Sequence, residues 1–217
     1  MLITQAVIPI FAIPTVIFPD EQLPFHIYEE RYQKMVSFCL QNKNKGTSGM
    51  FGITCITEEV AHQIGCAVKI ERVLEEYPDG RRDILVRGTI RYRMVDIDRS
   101  GEFPRATVEY FDDLSHPDHS LVGRAVTLHI KMVELAKGHT ITPDFGPGDK
   151  VSFALAHNAG LSLEERQRFL EMRHEYQRLE FLIEFYKKNI PLIQKNREIQ
   201  DRIHANGNIR VLRSLSL

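Results

Sequence analysis

Apolar residues in this chain recur at every second position up to about residue 114, and at helical spacing from residue 121 onward. Those two periods belong to strands and helices respectively, so the sequence must build a sheet first and helices afterwards. Phe51, Ile53 and Cys55 alternate, as do Cys66, Val68 and Ile70, then Ile84 and Val86, Ile90, Tyr92 and Met94, and Ala106, Val108 and Tyr110. Pro78-Asp79-Gly80 is a turn with a mechanism, because proline presets φ and glycine accepts a positive one. Short strands joined by tight turns predict a small barrel or sandwich. One helix interrupts them: Tyr32, Met35, Val36, Cys39 and Leu40 form a single apolar face between Glu29 and Asn42.

Beyond residue 120 the sequence predicts a helix over 121–137, a Gly/Pro-rich loop from Gly138 to Gly148, and a short helix over Lys150–Asn158 ended by Gly160. Ser162-Leu163-Glu164-Glu165 is a capping box, in which serine and glutamate each satisfy a free N–H at a helix start. A break is expected near Arg173. Pro191 is expected to end the next helix and open another, which Asn206-Gly207-Asn208 would stop. The expected organisation is an α+β chain: a β-rich unit over 1–115 with one helix, a helical bundle over 120–206, and a tail over 207–217. Charge supports a boundary, with 16 Lys/Arg against 20 Asp/Glu in residues 1–147 and 12 against 9 in residues 148–217.

The net charge of −1 provides no global field for nucleic acid or an anionic membrane. Residues 1–19 carry no charge, but Pro9, Pro14 and Pro19 would break a spanning helix, and no basic leader precedes them. Buried strands and extended loop are expected there, with no membrane and no export. Cys39, Cys55 and Cys66 form no C-x-x-C pair and leave an odd thiol, which fits a reduced, cytoplasmic protein.

No phosphate-cradling P-loop, no G-x-S-x-G elbow and no H-E-x-x-H or cysteine-rich zinc spacing occurs, so neither catalytic residues, a cofactor nor a metal is expected. His116-Pro117-Asp118-His119 is the nearest approach to a ligand set and reads as a solvated linker. Arg91 and Arg93 share one strand face, with Tyr92 on the other. Stacking and phosphate contact would need both on the same face. Asp83, Asp96, Asp98 and Glu102 are interleaved, so the expectation is a salt-laced, exposed sheet face rather than a nucleic-acid site.

The ordered segments Ile8-Pro9-Ile10-Phe11, Val16-Ile17-Phe18-Pro19 and Leu23-Pro24-Phe25-His26-Ile27-Tyr28-Glu29-Glu30-Arg31-Tyr32 resemble the opening signature of the N-terminal domain of Lon proteases. Phe51-Gly52-Ile53, Ile64-Gly65-Cys66-Ala67, Asp79-Gly80-Arg81 and Gly88 with Arg91-Tyr92-Arg93 follow in the family's order. Leu161 to Gln167, Leu170-Glu171, Arg178-Leu179 and Ile190 to Gln194 extend the resemblance over nearly the whole chain. Ala12, Asp20 and Tyr28 depart from the usual residues. The resemblance implies a PUA-like β pseudo-barrel followed by an α-helical bundle. It also implies a non-catalytic, protein-binding function in substrate recognition, without the ATPase and protease domains.

The expected partner is therefore unfolded or degron-bearing polypeptide, with a protease as a second partner and the chain as adaptor or modulator of proteolysis. The alternative is an RNA-binding protein, since PUA-like barrels often bind RNA. Candidate substrate-binding residues are Phe18, Leu23 and Phe25 in a proline-stiffened loop, with Glu30, Arg31 and Lys34 on the polar face of the first helix.

Overall fold

The computed structural model describes residues 5–43, 49–58, 60–114, 119–138 and 150–214, with backbone only at 119 and 204–214. His116, Pro117, Asp118, the His119 side chain and the loop interior 139–149 lie outside the described residues. The elements are β1 (Gln5–Ile13), β2 (Gln22–Ile27), α1 (Glu30–Gln41), β3 (Met50–Thr57), β4 (Val60–Ala61), β5 (Ile64–Glu76), β6 (Arg82–Asp98), β7 (Arg105–Phe111), α2 (His119–Lys137), α3 (Val151–Ala156), α4 (Leu163–Glu171) and α5 (Glu175–Ser214). They form two compact units, one of Met1–Ser115 with Ala156–His174, the other of His116–Leu155 with Glu175–Leu217.

In the first unit β1, β7, β6, β5 and β3 pair in turn, and β3 returns to β1. The closing pair is parallel, from Ile10↔Gly52 to Ile13↔Cys55, whereas β1 pairs β7 antiparallel from Gln5↔Glu109 to Pro9↔Arg105. β1 thus changes neighbour midway, and the sheet closes into a pseudo-barrel that leaves the ring strands paired on both sides. Ile8, Ile10, Met50, Ala67, Tyr92, Ala106 and Val108 fill its core. Tyr92 occupies the centre: its hydroxyl lies 2.6 Å from Thr54 Oγ1, and a Cβ added at Gly52 or Gly65 would meet its ring. The two glycines are therefore the space into which the tyrosine packs.

Two sequence runs expected as separate strands are one. β6 is 17 residues long, with its first half between β2 and β5 and its second half along β7, where β5 follows only as far as Arg93. Residues 22–27, read from sequence as loop, are strand β2, in register from Gln22↔Arg87 to Ile27↔Arg82. Pro24 has no N–H, so in the Pro24↔Leu85 pair its nitrogen must point away from β6. Leu23, Phe25 and Ile27 then bond to β6, and Pro24 stands in the middle of a strand margin that no other described strand covers.

Gly88 explains how residues 18–21 reach the barrel. Asp20 N donates to Gly88 O at 3.0 Å and Gly88 N donates to Glu21 O at 2.9 Å. A Cβ at Gly88 would lie inside the contact distance of the Phe18 carbonyl oxygen. From the other side Arg166 of α4 closes this segment. Its guanidinium donates to Val16 O at 2.9 Å and to the Glu21 carboxylate at 2.8 Å, and lies 4.3 Å over the Phe18 ring. Glu21 also accepts from Phe18 N at 2.8 Å.

The expectation that 120–206 is wholly a helical unit differs from this arrangement, because 156–174 groups with the strands. Polar contacts supply the reason. Besides Arg166, Gln167 Nε2 donates to Ile64 O at 3.0 Å, and Arg91 donates to Leu170 O at 2.9 Å and to Met172 O at 2.5 Å. The capping box that starts α4 forms as its sequence requires, with Glu165 N donating to Ser162 Oγ and Ser162 N to the Glu165 carboxylate.

In the second unit α2 packs along α5, with Ala125, His129, Met132 and Val133 buried on one helix and Leu179, Leu182, Ile183, Tyr186 and Ile190 on the other. α5 runs through Pro191 to Ser214, so neither Pro191 nor Asn206-Gly207-Asn208 ends it. A proline inside a helix removes one hydrogen bond, here to the carbonyl of Lys187. Both residues are exposed, and water can take that acceptor.

His129, 4% exposed, makes a 2.9 Å contact from Nδ1 to the Tyr186 hydroxyl. Burial, with a smaller contribution from Lys137, lowers its pKa below the usual 6.5. The folded state then takes up the proton less readily than the unfolded chain. Stability from this group is complete above pH ~6.5 and falls as the pH drops towards the folded pKa, by at most ~1.4 kcal/mol per pH unit. Urea melts of the protein and of His129→Gln are expected to converge between pH 7 and pH 5. A constant difference across that range would exclude His129 as the source.

Candidate functional site

The inner residues of the barrel strands leave an open cleft of about 300 Å³ at one end of the ring. β1 contributes Ile10 and Ala12, β3 Thr54 and Ile56, β4 Ala61, and β6 Met94 and Ile97. Arg31 and Tyr32 of α1 and the turn residues Arg99, Gly101 and Glu102 complete it. Alternation along each strand delivers one apolar side chain in two to this space, and the strand ends stop short of filling it. The result is an apolar floor beneath a charged rim, the form that small binding sites in barrel mouths commonly take.

The rim is held by short-range charge pairs. Lys34 Nζ lies 3.2 Å from Glu30 and 3.4 Å from Glu102, which joins α1 to the turn before β7. Hydrogen bonds to these two carboxylates raise the Lys34 pKa, so the ammonium stays charged. Arg31 donates to Glu29 at 2.9 Å and lies 4.5 Å over the Tyr32 ring. Arg99 makes no hydrogen bond or ion pair with another described residue and is exposed. In the floor, Thr54 is engaged by the buried Tyr92 hydroxyl. Such a cleft can take one apolar side chain of an extended ligand while the arginines engage a neighbouring carboxylate or carbonyl.

The six residues expected to bind substrate divide into three groups. Phe18 is fully buried, packed by Phe169 at 5.4 Å and His157 at 6.2 Å between ring centroids, so it anchors its segment and cannot face a ligand. Leu23 and Phe25 are half-buried on β2, where Phe25 packs edge-on against Phe11 at 5.6 Å. Glu30, Arg31 and Lys34 are exposed, and the structure brings Arg31 into the cleft and Lys34 to its rim through Glu102. The floor residues and Arg99 escaped sequence reasoning because alternation shows which face is apolar without showing where the face is left uncovered.

The arginine pair on β6 also divides. Arg93 is exposed as expected, but Arg91 is 1% exposed. The expected salt-laced face is thus covered at Arg91, which pairs with Asp113 and lies 4.8 Å over Phe111 beneath the end of α4. Cys39, Cys55 and Cys66 are buried and free. Burial pushes the Cys39 and Cys66 thiols up to about 12, which keeps them protonated and unreactive.

A second cleft of about 640 Å³ holds Thr57, His62 and Glu171. The imidazole lies 3.4 Å from the Thr57 hydroxyl and 3.6 Å from the Glu171 carboxylate. The latter separation suits an ion pair and exceeds a hydrogen bond, so the geometry does not make a proton relay. Among the described residues no cluster of three or more His, Cys, Asp or Glu is placed to hold a metal ion. No helix there is long and apolar enough to cross a membrane.

Comparison with known proteins agrees with this architecture. The family model described as the ATP-dependent protease La (LON) substrate-binding domain matches residues 7–188. A Lon N-terminal domain protein from Xanthomonas campestris superposes with a TM-score of 0.61 at 26% identity, covering 82% of this chain and 97% of that one. The N-terminal domain of the Lon protease of the Mycobacterium avium complex shares the fold, with a TM-score of 0.65 at 17% identity over 84% of this chain and 98% of its own. Lon protease 2 of Syntrophobacter fumaroxidans is 23% identical over 205 residues, 88% of this chain and 25% of that protein. The chain spans about a quarter of the length of that relative.

Proposed function

Since the chain belongs to the ATP-dependent protease La (LON) substrate-binding domain family, we propose that it captures polypeptide as a non-catalytic recognition module, with the cleft at the barrel mouth and the start of α1 as the contact surface. The observation that carries this reading is the apolar floor of Ile10, Ala12, Ile56, Met94 and Ile97 beneath Arg31 and Arg99. Apolar area supplies affinity for unfolded or degron-bearing chains of varied sequence, and the rim charges orient them. On this reading the protein works in the cytoplasm as an adaptor or modulator that passes clients to a protease. RNA binding gains no support, because burial of Arg91 removes one of the two cations that its strand face would have offered.

The test is charge reversal at the rim. Glu30→Lys, Arg31→Glu and Lys34→Glu introduced together are expected to weaken capture of a reduced, carboxymethylated globular protein about tenfold, equivalent to ~1.4 kcal/mol. All three side chains are exposed, and substitutions of that kind change stability by less than ~0.5 kcal/mol per site. Fluorescence anisotropy beside a thermal melt separates the two effects. Unchanged capture at an unchanged melting temperature would assign these charges to a merely solvated face.

A further inference from the structure

We propose that the outer face of β5, β6 and β7 carries a second binding site, specific for a carboxylate. The pairing Ile64↔Arg93↔Glu109 sets three side chains in a row across these strands, and Cys66↔Arg91↔Phe111 forms the next row on the same face. The residues that end α4 stand over them, fixed because Arg91 donates to the carbonyls of Leu170 and Met172 and Leu114 N donates to Arg173 O at 2.9 Å. Between sheet and helix end is a cleft of about 410 Å³ whose lining includes Arg93, Glu109, Phe111, Glu171 and Arg173.

Its four charges are not mutually satisfied. Glu109 accepts from Gln5 Nε2 at 2.9 Å, and Glu171 accepts from Gln167 Nε2 at 2.8 Å and faces His62. The Arg93 side chain makes no hydrogen bond or ion pair with a described residue. The Arg173 guanidinium is held 5.1 Å over the Phe111 ring, while its Nε is buried without a hydrogen-bond partner. A buried donor left unmatched is costly, and a guanidinium fixed by stacking presents a planar fork that a carboxylate matches with two parallel bonds. The carboxylate can come from the C-terminus of a polypeptide or from an acidic side chain. The site shares no lining residue with the barrel-mouth cleft, so it stands or falls separately from the function proposed above.

Three fluorescein-labelled nine-residue peptides of alanine and serine test it: one with a free C-terminal carboxylate, one amidated with two internal glutamates, and one amidated without acid. At least one acidic peptide is expected to bind about tenfold or more tightly than the neutral one, and the member that does identifies the carboxylate's source. Arg93→Gln and Arg173→Gln are each expected to remove most of that difference. Should Arg173→Gln disturb folding, Arg93→Gln carries the test, since its side chain is exposed and holds nothing in place. Equal binding of all three peptides, or a preference for acid that survives Arg93→Gln in a folded protein, would overturn the proposal.

Discussion

Replacing Arg178 with alanine is expected to destabilise the helical unit by ~3–5 kcal/mol, the usual cost of leaving one member of a buried ion pair unpaired. Arg178 is fully buried, its Nε donates to Ser152 Oγ at 2.8 Å, and its guanidinium lies 4.2 Å over the Phe153 ring. The same guanidinium pairs with Glu175, 3% exposed, which also accepts from the Ser152 backbone N–H at 2.9 Å and hydroxyl at 2.7 Å. Serine, glutamate and arginine are thus linked in one network, in which the hydroxyl donates to the carboxylate and accepts from the guanidinium. Removing the cation leaves a carboxylate out of water with only serine to meet it. Replacing both charges, as Glu175→Leu with Arg178→Met, is expected to restore most of the loss, because a buried pair repays little beyond its own desolvation. Urea denaturation followed by far-ultraviolet circular dichroism measures both. A single substitution that costs less than ~1 kcal/mol would show that water reaches the site.

Gly88→Ala is the second large effect, at about 3 kcal/mol, the upper part of the range for overpacking a fixed site. The added methyl would meet a backbone carbonyl, that of Phe18, which cannot swing aside as a side-chain end can. Relief requires residues 18–21 to move off β6, breaking the bonds that Asp20 and Glu21 make with Gly88 and pulling against Arg166. Limited proteolysis of the variant is expected to open cleavage between Pro14 and Gln22, with the barrel core retained. Protection of this segment at unchanged stability would show that the strand shifts to make room.

Some of this was legible in residue order alone. The apolar face of α1, the turn at Pro78–Gly80 and the Ser162–Glu165 box are local, since each needs only partners a few positions apart, and each forms as its pattern demands. What required the structure is non-local. Nothing near Arg91 in sequence signals that α4 covers it, since its acceptors, Leu170 and Met172, lie about eighty positions away. Pro24, with Pro19 shortly before it, disguises β2 as loop, because a local rule cannot know which side of Pro24 faces a partner strand. Of the barrel-mouth cleft only Arg31 was marked beforehand. The rest of its lining comes from Tyr32, from the turn between β6 and β7, and from strands whose alternation is the same whether their ends are capped or open.

If the chain captures unfolded polypeptide as proposed, the proline at the centre of β2 bears on how it survives its own clients. Unfolded chains are rich in extended segments that add readily to any bare sheet margin, and one such addition offers the next chain a fresh margin. Pro24 takes a donor out of the middle of that margin and places a ring where an incoming backbone would need to lie. On that proposal a client reaching this margin meets a strand whose pairing is interrupted at its centre, which hinders its addition to the sheet and the growth of a seed there.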